Sequence, residues 1–528
     1  MNKAVILITG IALLISACAT AEKPYDVVIQ NGRIFDGTGN PWYYGDIGIR
    51  GNTIATIGDI LPDQGNRIID ADGKAVAPGF IDIHTHTDGI LEDPSAHNYI
   101  LQGVTTVVDG NCGGSPINLA KHFSTLESMD IALNYATFIG QNSIRSKVMG
   151  SADRPPTSEE LDTMKKLVED SMKAGAVGMS NGLKYKPAVF AATDEVVELA
   201  KVAARYGGFY ATHMRSEGET VIESVKEAIE IGEKAGIPVQ ISHFKALSVE
   251  RWGASVEMLR LIDDARRRGI DVKADQYPYT ASSTGLSVLL PPWALEGDGW
   301  KEKIKDTAQK EKIKEDIIYA IVHERAGDDL NRIQISRYAA DTSLEGMGLG
   351  DILEKKGRKT TPENAADLVL ELLLEGSASA IYHTLSEDDV ERIMRHPAVM
   401  HASDGSITET DVGVPHPRCY GTFPRVLARY VREKGIITLE EAVRKMTSLP
   451  ARRIGADNTG TITPGKRADI VIFDPETIAD TATFEDPHSY PLGIDYVLVN
   501  GVIVADHGEI TGAMPGRIIY GPGSVDPL

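Results

Sequence analysis

From Tyr25 to about Pro78 short apolar runs alternate with polar residues and turn signals: YDVVIQNGRIFDGTG, DIGIRGNTIATIGD and NRIIDADGKAVAPG. Asn31-Gly32, Asp36-Gly37 and Asp72-Gly73 supply tight turns between β-strands. The same texture returns in TGTITPGKRADIVIFD from Thr459 and in IDYVLVNGVIVADHGEI from Ile494. Two β-rich ends around a long middle predict one small β-sandwich built from 24–78 and 456–528. The middle, 79–455, has a different rhythm. Apolar stretches of strand length (FIDIHTH, GVTTVVDG, ALNYATFIG, AVGMSNG, GFYATHM, PVQISHF, DVKADQY and AVMHASD) alternate with amphipathic helices. In the helix Thr220–Ala235, for example, Val221, Val225, Ala228, Ile229 and Gly232 share one face. Eight such units predict an α/β fold, a closed (β/α)8 barrel. The stretch from Tyr279 to Pro397 is too long for one loop and helix, so an insertion over the barrel mouth is expected at about 285–345.

Composition narrows the classes without adding chemistry. With 54 Lys+Arg against 75 Asp+Glu, the net charge of −21 argues against a nucleic-acid partner. Three cysteines in 528 residues cannot form a disulfide scaffold. Residues 1–17 carry one lysine, an apolar run from Ala4 to Ile15 and then small residues, the pattern of a signal peptide. Ile15-Ser16-Ala17-Cys18 resembles a bacterial lipobox, which implies cleavage before Cys18, lipidation of its sulfur and a periplasmic or cell-surface protein touching the membrane only through that anchor. The alternative is an ordinary signal peptide with a chance cysteine; export follows either way.

The candidate chemistry lies at the strand ends. His84 and His86, two apart at the end of the first barrel strand, project to one face. Cys112 follows the second strand, His213 ends the fifth, His243 the sixth, and Asp404 the eighth. Each alone has an ordinary explanation as a core or turn residue. Together, four imidazoles, a thiol and a carboxylate at the C-terminal rim of one barrel have the ligand chemistry of zinc. Asp404 could serve as general base, as metal ligand, or as both. Lys245 and Arg418 can reach the same rim, and an arginine can grip a carboxylate with two parallel hydrogen bonds. Cys419 reads as a structural thiol.

GFIDIHTHTD, GVTTVVDGNCGG, YATHMRSEGE, ISHFKA, DQYPYTASST and HPRCYGTFPRVL resemble the N-acyl-D-amino-acid deacylases (D-aminoacylases) of the amidohydrolase superfamily, from about Tyr25 to the C-terminus. The resemblance implies zinc held firmly by Cys112, His213 and His243. It implies a weaker second site at His84, His86 and Asp404, with Cys112 able to bridge. Many superfamily members bridge two metals with a carboxylated lysine on strand 4; here that strand reads AVGMSNG and Cys112 would replace it. The implied reaction is hydrolysis of an N-acyl-D-amino acid to a carboxylate and a D-amino acid by zinc-activated water, with Asp404 as general base and then acid. Lys245, Arg418, Tyr185 and one of Tyr277 and Tyr279 would hold the substrate carboxylate. Lys186 and Phe244 depart from the usual pattern and touch side-chain specificity. Alternatives are a dipeptidase acting on L-Xaa-D-Xaa peptides, a cyclic-amide hydrolase of the hydantoinase or dihydroorotase kind, and a non-catalytic ligand-binding lipoprotein. The missing strand-4 lysine counts against the cyclic-amide reading.

Overall fold

The computed structural model describes residues 23–524, apart from Asp298 and Glu409. The expected signal peptide and Cys18 lie outside the described residues. No helix among those described is long and apolar enough to cross a membrane.

Strands from the N-terminal and C-terminal parts of the described chain share one nine-stranded sheet. The N-terminal strands Tyr25–Ile34, Tyr43–Arg50, Thr53–Gly58, Gly65–Asp70 and Ala75–Pro78 join the C-terminal ones where Ala75–Pro78 pairs antiparallel with Ile470–Phe473, Val76 opposite Ile472. Ile29, Ile47, Ile49, Ile470 and Leu498 fill its core. Asp72-Gly73 is the expected turn, both residues having positive φ. Asn31-Gly32 is not. Asn31 takes φ 56° inside the ten-residue strand Tyr25–Ile34, and the register shifts there, so the pair makes a β-bulge rather than a hairpin turn.

The eight expected barrel strands are present and parallel: Phe80–Asp82, Val104–Asp109, Asn134–Thr137 (continued by Ile139–Gly140), Gly178–Gly182, Phe209–His213, Val239–Ile241, Val272–Gln276 and Val399–His401. Nearly every residue in them is buried, as both faces of a parallel sheet require. Strand 8 closes on strand 1 through a short ladder, Thr85–His86 with Gly405–Ser406. The barrel's last helix, Ser448–Ile454, ends on Gly455 at φ 74°, a left-handed cap that returns the chain to the sandwich.

Two boundaries differ from expectation. The insertion runs from Ser282 to Tyr382, not 285–345: three antiparallel strands, Ser282–Gly285, Ile333–Arg337 and Ser379–Tyr382, under helices that include Pro362–Glu375. That helix has the apolar stripe of a barrel helix, but Ala365, Leu368, Val369 and Leu372 pack into the insertion's own core. The C-terminal segment also leaves the sandwich: Pro515 and Ile518 bridge to Ile131 and Tyr135 at barrel strand 3, because the Tyr135 amide donates to the Arg517 carbonyl.

Candidate metal centre

All six expected ligands meet at the barrel's C-terminal rim: His86, Cys112, His213, His243 and Asp404 line a cavity of about 290 Å³, and the fully buried His84 stands behind them. Cys112, His243 and Asp404 sit at φ 53°, 35° and 52°. A non-glycine residue held in the left-handed region costs about 1–3 kcal/mol, and such residues persist where the surrounding structure fixes them. Here each conformation turns a ligand atom inward from a strand end.

Cys112 Sγ lies 3.5 Å from His84 Nε2, 3.5 Å from His243 Nε2 and 3.8 Å from His213 Nδ1. Asp404 Oδ1 lies 3.3 Å from His84 Nε2 and 3.1 Å from His86 Nε2. Zinc bonds of about 2.0–2.3 Å at tetrahedral angles set donor atoms roughly 3.3–3.7 Å apart. The two 3.5 Å sulfur–nitrogen spacings match; the 3.8 Å to His213 is slightly longer, and the 2.8 Å between His213 Nδ1 and His243 Nε2 is shorter. The donor set fits a borderline-soft divalent cation. His84 Nδ1 faces Asp275 Oδ1 at 3.1 Å, so that ring can present its Nε2 lone pair to the centre; His243 Nδ1 lies 2.9 Å from both Glu217 Oε1 and Lys245 Nζ, and donation to Glu217 is what frees its Nε2.

Electrostatics also call for a cation. Burial alone would raise the Cys112 thiol, but His84, His213 and His243 hold it well below the usual thiol range. Burial would likewise raise Asp404, yet Arg418 and His84 keep it well below the carboxylate range. In return, Asp404 and Cys112 push His86 up to about 10 against the burial that lowers it. A divalent cation would balance the thiolate and the carboxylate together.

The substrate-side residues divide. Arg418 Nη1 is 2.7 Å from Asp404 Oδ2, an ion pair rather than a well-directed hydrogen bond. Lys245 Nζ donates to Glu217 at 2.5 Å. Tyr185 packs over His213 at 4.6 Å and meets Thr284 Oγ1 at 3.2 Å. Tyr277 lines the cavity beneath Arg418, and its buried hydroxyl has no partner among the described residues. Tyr279 does not reach the cavity. It packs edge-on against His416 at 5.1 Å and under Arg425, two positions on from Tyr277 and past the Pro278 bend. Cys419 is buried, accepts from the Ser406 amide and packs against Tyr420 and Ala482, as a structural thiol does. Glu217 and Asp275 were missed in the sequence. Their signals were positional: Glu217 is four residues after His213, and Asp275 stands at the end of strand 7.

The sequence model of the amidohydrolase family matches residues 67–313 and 361–505. The chain belongs to the amidohydrolase family. This amidohydrolase is 37% identical to a D-aminoacylase of Alcaligenes xylosoxydans xylosoxydans over 94% of its own length and 98% of that protein's. It superposes on a solved D-aminoacylase with TM-score 0.81, 35% identity and coverage of 94% and 100%; that protein is described as having a binuclear metal centre with one-metal activation and second-metal attenuation. It superposes equally, TM-score 0.81 at 34% identity with coverage of 94% and 100%, on the N-acyl-D-glutamate deacylase of Bordetella bronchiseptica, solved with zinc and a phosphonate mimic of the tetrahedral intermediate. The amidohydrolase's strand 4, Gly178–Gly182, carries no lysine.

Proposed function

We propose that this amidohydrolase is a zinc-dependent N-acyl-D-amino-acid deacylase that releases a carboxylate and a D-amino acid. The observation that carries the reading is the thiolate–imidazole–carboxylate cluster on the floor of a cavity that also holds Arg418 and Lys245. Cys112, His213 and His243 would hold the firmer zinc, and His84, His86 and Asp404 the weaker. Bound there, zinc supplies Lewis acidity, which lowers the pKa of water and polarises an amide carbonyl.

The chain's own groups do the rest. Asp404 can take a proton from water at Oδ1 and pass it to the amide nitrogen as the amine leaves. Arg418 beside Asp404 holds that carboxylate ionised, in the form that can accept the proton. Arg418 can bind the substrate's α-carboxylate with its remaining donors, and Lys245 and the free Tyr277 hydroxyl add two more. Tyr185, packed on His213, covers the ligand side of the cavity.

The deciding experiment compares initial rates on N-acetyl-D-methionine and its L enantiomer by the zinc-loaded protein, with L-Xaa-D-Xaa dipeptides as a further arm. Fast, metal-dependent release from the D form supports the reading; no release from any D-configured amide sinks it. The lipobox at 15–18 supports a further proposal, that the protein is exported and lipid-anchored through Cys18. A Cys18→Ala protein recovered with the membranes as fully as the wild type would refute it.

A further inference from the structure

Among the described residues four arginines are more than nine-tenths buried: Arg145, Arg325, Arg418 and Arg453. Three have a carboxylate: Arg145 with Glu195 at 3.1 Å, Arg418 with Asp404 at 2.7 Å, and Arg453 with Asp271 at 3.1 Å. Arg325 has none. It ends the helical segment Ala320–Arg325 of the insertion, lines the cavity above the ligand cluster and is 6% exposed. Among the described residues its side chain makes no hydrogen bond or ion pair; its guanidinium rests 4.9 Å from the Tyr382 ring centre.

A guanidinium stays charged at any pH the fold meets, and a buried charge without a counter-ion is strongly unfavourable. The Tyr382 ring offsets only part of that cost. A neighbouring lysine adds to it. Burial lowers the Lys184 pKa, and the Arg325 charge lowers it further against the pull of Glu324, which stands 3.6 Å from the amine. The other two cations lining the cavity, Arg418 and Lys245, are already matched by Asp404 and Glu217. The insertion side of the cavity therefore presents a fork of donors with unneutralised positive charge, suited to a bidentate anion.

We infer that Arg325 receives a second carboxylate of the substrate, so that the preferred substrate is an N-acyl-D-amino acid with two carboxylates. This rests on the deacylase reading of the same site. The second carboxylate comes from an acidic side chain or from an acyl group that ends in one, and the test separates the two.

The measurement is kcat/KM of the zinc-loaded enzyme on N-acetyl-D-glutamate, N-acetyl-D-aspartate and N-succinyl-D-methionine, with N-acetyl-D-methionine as the single-carboxylate reference. Wild type, Arg325→Met and Arg325→Lys are compared. At least one dianion should exceed the reference by about tenfold or more. Arg325→Met should abolish that advantage, mainly through KM, while changing the reference by less than about threefold; Arg325→Lys should restore part of it. An acetylated acidic amino acid as the winner places the carboxylate on the side chain, and the succinyl substrate as the winner places it on the acyl group. A wild type that prefers the reference, or an Arg325→Met variant that slows all four substrates alike, overturns the inference and leaves the deacylase reading standing. No turnover of any of the four overturns both.

Discussion

On the side of strands 5 and 6, His243 is fully enclosed, its far nitrogen is fixed by Glu217, and Lys245 closes the network behind it. On the side of strands 1 and 8, His86 keeps a third of its side chain exposed and Asp404 divides its two oxygens between imidazoles and Arg418. The first arrangement leaves its ligands one use, with a carboxylate behind to hold ring orientation and raise donor strength. The second leaves Asp404 a competing cation and His86 access to water. On the proposed reading, the first side would retain its metal, and the second would exchange it and leave a carboxylate for proton transfer.

The contrast can be broken hardest at the sulfur the two sides share. Cys112→Ala should lose retained zinc on gel filtration and lower kcat by roughly 10³-fold or more; retained zinc with near-normal turnover would show that the sulfur is not a ligand. Glu217→Gln keeps the shape but removes the charge behind His243, and should weaken the tightly held metal by about 10–100-fold in a chelator competition. His86→Ala should leave the firmly held zinc in place, shown by metal analysis, and lower kcat by no more than about tenfold. If His86→Ala empties the protein while Glu217→Gln does not, the assignment of firm and exchangeable sides is reversed.

The smallest effect concerns the support behind strand 8. Lys445, fully buried, donates to the Met394 and His396 carbonyls, and burial brings its pKa down to about 7 from the ordinary 10.5. Between those pH values the unfolded chain binds more protons than the folded one, so stability gains from this group as pH rises from 7 towards 10.5 and loses that gain as pH falls back through 7. The span is on the order of a few kcal/mol. The thermal midpoint of wild type relative to Lys445→Met should therefore climb across that interval. A flat difference would mean that the lysine stays charged in its pocket.

The cluster of six side chains was legible because its residue types are rare and fell at strand ends whose apolar runs are unmistakable. What lay behind them was not. Glu217 and Asp275 are two of 75 acidic residues, and nothing local distinguishes a carboxylate that orients a histidine from one in solvent. Arg325 stands in the charge-rich stretch HERAGDD, where a solvated helix face is the ordinary reading; only the packing of the insertion shows that it is buried without an anion. Tyr277 and Tyr279 carry equal signals, and the chain's bend at Pro278 decides between them. The insertion's end was misplaced for the same reason: an apolar stripe shows that a helix packs, not against what.

The pairing of Val76 with Ile472 also has a consequence in time. The first half of the sandwich leaves the ribosome long before its partner strands exist. At about 5–20 residues per second, the wait for nearly 400 residues is on the order of 20–80 seconds. Throughout it the β-edge of Ala75–Pro78 has no C-terminal neighbour to pair with. The barrel can begin to fold as it emerges; the sandwich can be completed only after nearly the whole chain has been made.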